Sequence, residues 1–228
     1  MCARFTLRTP AAILAKMFEI AWASGFEARS NIVPTNSIYV VRCGDEGREV
    51  ASLKWSLLPA WAKSADFVPQ PINATAERLD SSGMFKQSFR RRRCLVPVDG
   101  WYEWKAITSK IKERYFFRVP QQACFAFAGI WDRWTSRSPS GESITIDSCA
   151  IVTTVANELV GAIHDKRRMP VILRPEDYGL WLDHSIDDPS CLLPLLRPFP
   201  DEEMEAILVP RTIENDWFDA RCWPHLVS

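Results

Sequence analysis

Ser37-Ile38-Tyr39-Val40-Val41-Arg42-Cys43-Gly44-Asp45-Glu46-Gly47-Arg48-Glu49-Val50-Ala51-Ser52-Leu53-Lys54-Trp55 is the stretch whose reading decides the fold. Residues 37–43 and 48–55 are short runs with β-branched and aromatic side chains, which suit a pleated, half-buried surface. Gly44-Asp45-Glu46-Gly47 divides them with turn-forming residues, so the stretch predicts a β-hairpin. Similar runs lie near 94–98, 101–105, 114–119, 123–130, 144–154 and 170–173. The core therefore reads as strand-rich.

Helical signals are sparser. Thr9-Pro10 reads as an N-cap followed by proline at the first helical position. Leu14, Met17, Phe18, Ala21 and Trp22 follow at helical spacing, with Lys16 and Glu19 between them, which predicts an amphipathic helix ending near Gly25. Further helices are predicted near 83–91, 156–163, 175–183 and 201–207, and Pro175-Glu176-Asp177 is a good start signal for one of them. A loop rich in Pro and Ala covers roughly 58–72, and Ser136–Ser143 reads as a surface hairpin loop. There is no internal repeat, low-complexity tract or linker. The expected architecture is α+β: a single domain over 1–228 with a strand-rich, barrel-like mixed core and peripheral helices.

Composition sets outer limits. The chain has 228 residues, 47% of them hydrophobic and 25% charged, which is ordinary for a globular protein and excludes a disordered one. Lys+Arg and Asp+Glu both number 28, so any nucleic-acid site must be a local patch. Arg90-Arg91-Arg92-Arg93 is a candidate patch and equally a solvated helix end. Ten Trp residues could serve core packing or base stacking. The seven cysteines (Cys2, Cys43, Cys94, Cys124, Cys149, Cys191, Cys222) are scattered and form no CxxC pair. That argues against a zinc site or a disulfide framework and for a reducing compartment. No metal and no cofactor is expected. No signal-peptide core and no apolar run of about 18 residues is present, so the expectation is a soluble, cytoplasmic, nucleoid-associated protein without a membrane partner.

The N-terminus reads Met1-Cys2-Ala3-Arg4-Phe5. Cysteine is small enough to permit removal of the initiator Met. Removal would leave Cys2 with a free α-amine and a thiol on adjacent carbons. Such a 1,2-aminothiol captures aldehydes, first as a Schiff base and then as a thiazolidine ring. An α-amine titrates at about 7.7–8.0 and a lysine at about 10.4, so at physiological pH roughly a quarter of α-amines are uncharged against about one lysine in a thousand. An incidental cysteine behind a retained Met is the plainer alternative.

Three internal segments also carry reactive residue types. Glu103 lies between Tyr102 and Trp104, where desolvation would raise its pKa toward proton-transfer duty; an edge-strand Glu facing water is the alternative. His164 follows an apolar helical run and suits acid–base work, or a structural role. Asn73, in Pro71-Ile72-Asn73-Ala74-Thr75-Ala76-Glu77, could orient a nucleophile or form a turn. His184 and His225 have no comparable context.

In this order the segments resemble the SOS-response-associated peptidase family, whose members are also called abasic-site processing proteins. The matching stretches are Met1–Phe5, Asn73–Thr75, Asp99–Trp104 and Ile163–Leu173. Trp55–Trp61 is similar to the family's Trp-Gly-Leu-x-Pro-x-Trp, and Asn31–Thr35 to its Asn-x-x-Pro-Thr loop. The resemblance implies binding of single-stranded DNA at abasic sites and a covalent thiazolidine crosslink through Cys2. By the same likeness Asn73 positions Cys2 and the opened sugar, Glu103 assists Schiff-base formation, and His164 acts on the sugar hydroxyl in ring opening and crosslink reversal. Arg4, Asn31, Pro34, Trp61, Trp104 and Thr153 are the implied DNA contacts. Replication-fork or repair proteins are the implied protein partners.

The chain departs from the pattern at Ala3 and Ser56, each a family Gly, and at Thr75, a family Arg. Ala3 would be strained if that position needs φ > 0. Thr75 removes a phosphate contact that Lys166, Arg167 and Arg168 would partly restore. Two other readings stand beside aldehyde capture: a thiol peptidase acting on other chains or on its own terminus, and a noncatalytic reader of damaged single strands.

Overall fold

The structure is a computed structural model that describes residues 2–21, 25–137 and 140–209. The chain begins with β1 (Phe5–Leu7), α1 (Ala11–Phe18), β2 (Arg29–Ile32), β3 (Ser37–Gly44), β4 (Gly47–Trp55) and β5 (Asn73–Thr75). Next come α2 (Lys86–Arg91), β6 (Arg93–Val98), β7 (Gly100–Ala106), β8 (Lys112–Arg118), β9 (Phe125–Arg137) and β10 (Ser143–Val155). The remainder is α3 (Glu158–Gly161), β11 (Arg168–Pro170), β12 (Ile172–Leu173), α4 (Tyr178–Leu182), α5 (Pro189–Leu192) and β13 (Glu205–Val209).

The hairpin forms as its sequence predicts. Strands β3 and β4 pair from Ser37↔Lys54 to Gly44↔Gly47, leaving Asp45 and Glu46 as the turn. Around it β10, β4, β3, β6 and β9 follow one another edge to edge, and β9 pairs back onto β10 from Ser143↔Arg137 to Ile151↔Gly129. Five strands thus close into a barrel, which leaves no free edge between them. Beyond the barrel, the far end of β10 is flanked by β5 on one side and β11 on the other. A second, antiparallel sheet runs in the order β13-β8-β7-β1-β2.

Aromatic side chains join the two sheets. Phe5 of β1 meets Trp55 of β4 edge-on at 5.1 Å, and Trp101 of β7 packs against Phe125 and Phe127 of β9. Trp55, Trp101 and Trp181 are fully buried, so much of the tryptophan content is core. Among the described residues no helix is long and apolar enough to cross a membrane. Cys2, Cys43, Cys94, Cys124, Cys149 and Cys191 are free thiols; Cys222 and His225 lie outside the described residues.

Several expectations need correction. Thr9 does not cap α1; its hydroxyl lies 2.6 Å from Asp99 Oδ1, and Pro10 occupies the cap. The helix stops at Phe18, where Glu19 turns left-handed (φ 54) and the Ile20 N–H reaches the Ala15 carbonyl, so Ala21 lies past its end; Trp22 is outside the described residues. The helix expected near 156–163 is only Glu158–Gly161. The helix expected at 201–207 is a 3-10 turn at Asp201–Glu203 followed by β13. The acidic start imitates a helix N-terminus, but Ala206–Val209 fulfil their backbone hydrogen bonds against the edge of β8. The arms of the 136–143 hairpin run into β9 and β10 up to Arg137 and from Ser143.

The arginine run is structural along its length. Arg90 pairs with Asp80, Arg91 with Asp187 and Arg92 with Asp132. Arg93 is buried and donates to the carbonyls of Phe89, Arg90, Trp181, Asp183 and Ile186. It satisfies the C-terminal ends of α2 and α4 together.

Candidate active site

Strand β1 pairs with β7 at Phe5↔Trp101, and the Tyr102 N–H donates to the Arg4 carbonyl at 2.9 Å. This lays the N-terminal residues along the β7 segment that carries Glu103. Cys2 is completely buried there. From the other sheet, β5 pairs parallel with β10 at Asn73↔Ile151 and presents Asn73, whose Nδ2 donates to the Cys2 carbonyl at 2.9 Å. The turn after α3 supplies His164, whose N–H donates to the Val160 carbonyl at 2.8 Å. Its Nε2 stands 3.6 Å from Glu103 Oε2. Residues 2, 73, 103 and 164 therefore meet where the two sheets join.

The electrostatics follow from burial. The Glu103 carboxyl is pushed up to about 7 by desolvation, with the positive chain terminus acting against the rise. His164 is held below its ordinary value, again chiefly by desolvation. Burial raises the Cys2 thiol well above the usual thiol range, and the Glu103 charge raises it further. His164 Nδ1 lies 3.1 Å from the Arg168 carbonyl, which can only accept, so Nδ1 carries the proton and Nε2 turns a lone pair toward Glu103. Glu103 titrating near neutrality opposite an unprotonated ring nitrogen can shuttle a proton. Three buried polar atoms at this junction have no partner: Asn73 Oδ1, Glu103 Oε1 and Thr153 Oγ1. Buried groups left unsatisfied cost stability and mark a polar site.

The remaining candidates divide. Arg4 stacks its guanidinium 5.4 Å from the Trp104 ring centroid, and both are half-buried. Thr153 is buried between Thr75 and Pro170 in the sheet. Pro34 is half-buried and Asn31 exposed at the end of β2, whose Ile32 pairs with Phe5. Trp61 is 55% exposed on the 58–72 loop, packed against Phe67 and bonded to the Gly83 carbonyl. His184 is exposed. The Arg168 carbonyl, which faces His164, and Glu77, which holds the Arg168 guanidinium, received no role from sequence. Their only signal was proximity to the Asn73 and Met169-Pro170 segments.

The departures have structural answers. Among the described residues positive φ at non-glycine positions occurs at Glu19, Thr35 and Arg167, so Ala3 is unstrained. The Ser56 hydroxyl bonds the Gln70 carbonyl at 3.2 Å. Arg168 does not stand in for the arginine absent at Thr75, because Glu77 holds it at 2.7 and 2.9 Å.

Comparison with known proteins identifies the family and the fold. Residues 1–216 match the model of the SOS response associated peptidase (SRAP) family, and the chain belongs to that family. Abasic site processing protein YoqW of Bacillus subtilis is 33% identical over 218 residues, covering 94% of this chain and 95% of its own. Abasic site processing protein YedK of Escherichia coli is 28% identical, covering 82% and 81%. A solved structure of a Bacteroides thetaiotaomicron protein superposes with a TM-score of 0.84 at 25% identity, covering 97% and 98%.

Proposed function

We propose that this protein processes abasic sites in single-stranded DNA, capturing the ring-opened sugar aldehyde through Cys2 after loss of Met1. The α-amine of Cys2 adds to the aldehyde carbon, and departure of water leaves a Schiff base. The Cys2 sulfur then adds to that carbon while its proton passes to nitrogen, closing the thiazolidine. Glu103 moves protons to and from the attacking amine and the departing oxygen. His164 serves the sugar hydroxyl in ring opening and in reversal. Asn73 holds the Cys2 main chain so that amine and thiol face one carbon. Arg4 and Trp104 offer a cation and an aromatic face to the flanking strand.

The observation that carries this reading is the Asn73–Cys2 hydrogen bond between sheets, with Glu103 and His164 beside it. It surrounds residue 2, where removal of one residue frees an aminothiol. The relatives named as abasic site processing proteins support the substrate. A thiol peptidase fits less well. It needs a resting thiolate, whereas burial drives Cys2 toward the thiol. Capture begins at the amine and needs the sulfur only after a cationic Schiff base has formed next to it.

The test uses untagged protein and a single-stranded oligonucleotide with one abasic site, resolved on a denaturing gel. Wild type should give a heat-stable shifted band. Cys2→Ala and a variant with extra residues before Cys2 should give none. Absence of the band from protein shown by mass to lack Met1 would overturn the reading.

A further inference from the structure

We propose that the Glu77–Arg168 ion pair is a positioning device for the acid–base residue His164, fixing its tautomer and its reach toward Glu103. The inference rests on the aldehyde-capture reading for its consequence in rate, but not for its geometry. Arg168 touches the site in two ways. Its main-chain carbonyl faces His164 Nδ1 at 3.1 Å, and its side chain is anchored elsewhere. The guanidinium donates to Glu77 Oε1 at 2.7 Å and Oε2 at 2.9 Å, and Nη2 also donates to the Thr153 carbonyl at 2.7 Å. A fork held by two carboxylate oxygens and a carbonyl has little freedom of rotation.

The pair also spans the site. Glu77 lies in the 3-10 turn Ala76–Arg78, directly after the β5 segment that presents Asn73. Arg168 opens β11, directly after the turn that presents His164. That turn bends sharply: Arg167 has φ 48, and its N–H closes onto the His164 carbonyl at 2.8 Å. The sheet holds Arg168 from one side only, through Val155↔Arg168 at the end of the ladder. The guanidinium adds further tethers, to the Thr153 carbonyl and to Glu77, and the Glu77 arm ties the His164 wall to the Asn73 wall. The Arg168 side chain is 17% exposed and that of Glu77 54%, so the guanidinium is sheltered while the carboxylate faces solvent, and the pair's strength rests on its two-pronged geometry.

The charged groups around His164 are Glu103 on β7, the chain terminus and its neighbours Asp165 and Lys166, while Arg168 acts on it through its main-chain carbonyl. If the clamp opens, the Arg168 carbonyl drifts from Nδ1. The ring is then free to take its proton on Nε2, which removes the lone pair facing Glu103.

Two measurements on Glu77→Gln and Arg168→Lys test this. The first is the nitrogen NMR spectrum of His164 in the full chain without DNA, which reports the tautomer directly. Wild type should show the Nδ1–H form, and both variants a mixture with Nε2–H. The second is the pH–rate profile of crosslink formation. Both variants should slow capture by roughly tenfold and shift the profile, with the double variant no slower than either single one. Glu77→Asp, which keeps the charge, should restore part of the rate. Folded Glu77→Gln with the wild-type tautomer and pH profile would overturn the proposal. A wild type that forms no crosslink would sink the function reading, while the NMR comparison would still decide this one.

Discussion

Glu103 carries opposing demands at a single residue. Its ordinary value is 4.5 and its folded value about 7. Between those values the folded state keeps a proton that the unfolded chain has released, so stability falls as pH rises through that window. His164, depressed by burial, acts with the opposite sign, and its contribution is lost as pH falls below its ordinary 6.5. Glu103→Gln removes the first effect. It should melt higher than wild type at pH 8, by roughly 3 kcal/mol, and the difference should vanish toward pH 4.5. The same variant should lose crosslinking at every pH. Thermal unfolding across pH with a parallel gel assay checks both. A pH-independent stability difference would contradict a buried carboxyl titrating near 7.

At the scale of elements, the arginine run shows how one sequence feature divides into different jobs. Arg91 and Asp187 are each about half exposed, and such a pair contributes little. Arg93 is 3% exposed and supplies donors to five carbonyls, four at the ends of α2 and α4 and that of Ile186 in the turn that follows α4. Arg93→Met should cost roughly 3 kcal/mol or more by urea unfolding, and Arg91→Ala less than about 1. Equal costs would refute this division. The element scale also explains β13. Ile207, Leu208 and Val209 are strand formers behind an acidic turn, and the free edge of β8 decides between the two signals. The Gly100 position is similarly tertiary: a Cβ there would come within 2.4 Å of the Phe116 ring and the Phe117 carbonyl, so only glycine lets β8 lie against β7.

For the whole molecule, the net charge is zero, Arg90, Arg91 and Arg92 each face a carboxylate and Arg93 is buried, so the proposed single-strand binding would have to use other residues. Trp61, 55% exposed beside Phe67, is a large aromatic face open to a base. Trp61→Ala should weaken binding to an abasic single strand by about 1–3 kcal/mol without changing the salt slope, since stacking releases no counterions. Thermal stability should stay near wild type. Fluorescence anisotropy over a salt series measures both quantities, and an unchanged affinity would remove Trp61 from the interface.

The sequence by itself determined the hairpin at 37–55, the strand-rich α+β class and the family, because alternation, turn residues and ordered motifs are local. It also singled out Cys2, Asn73, Glu103 and His164 by residue type and setting. What it could not contain was their meeting. Asn73 and Cys2 are 71 positions apart, and only closure of the barrel against the second sheet makes them neighbours. The same holds for the fate of each charge. Whether Arg93 binds solvent or carbonyls, whether Arg168 stays free or faces Glu77, and whether Glu103 titrates at 4.5 or about 7 depend on burial and partners brought from distant segments. Local pattern fixes which groups exist, and tertiary packing fixes their dielectric surroundings and their partners.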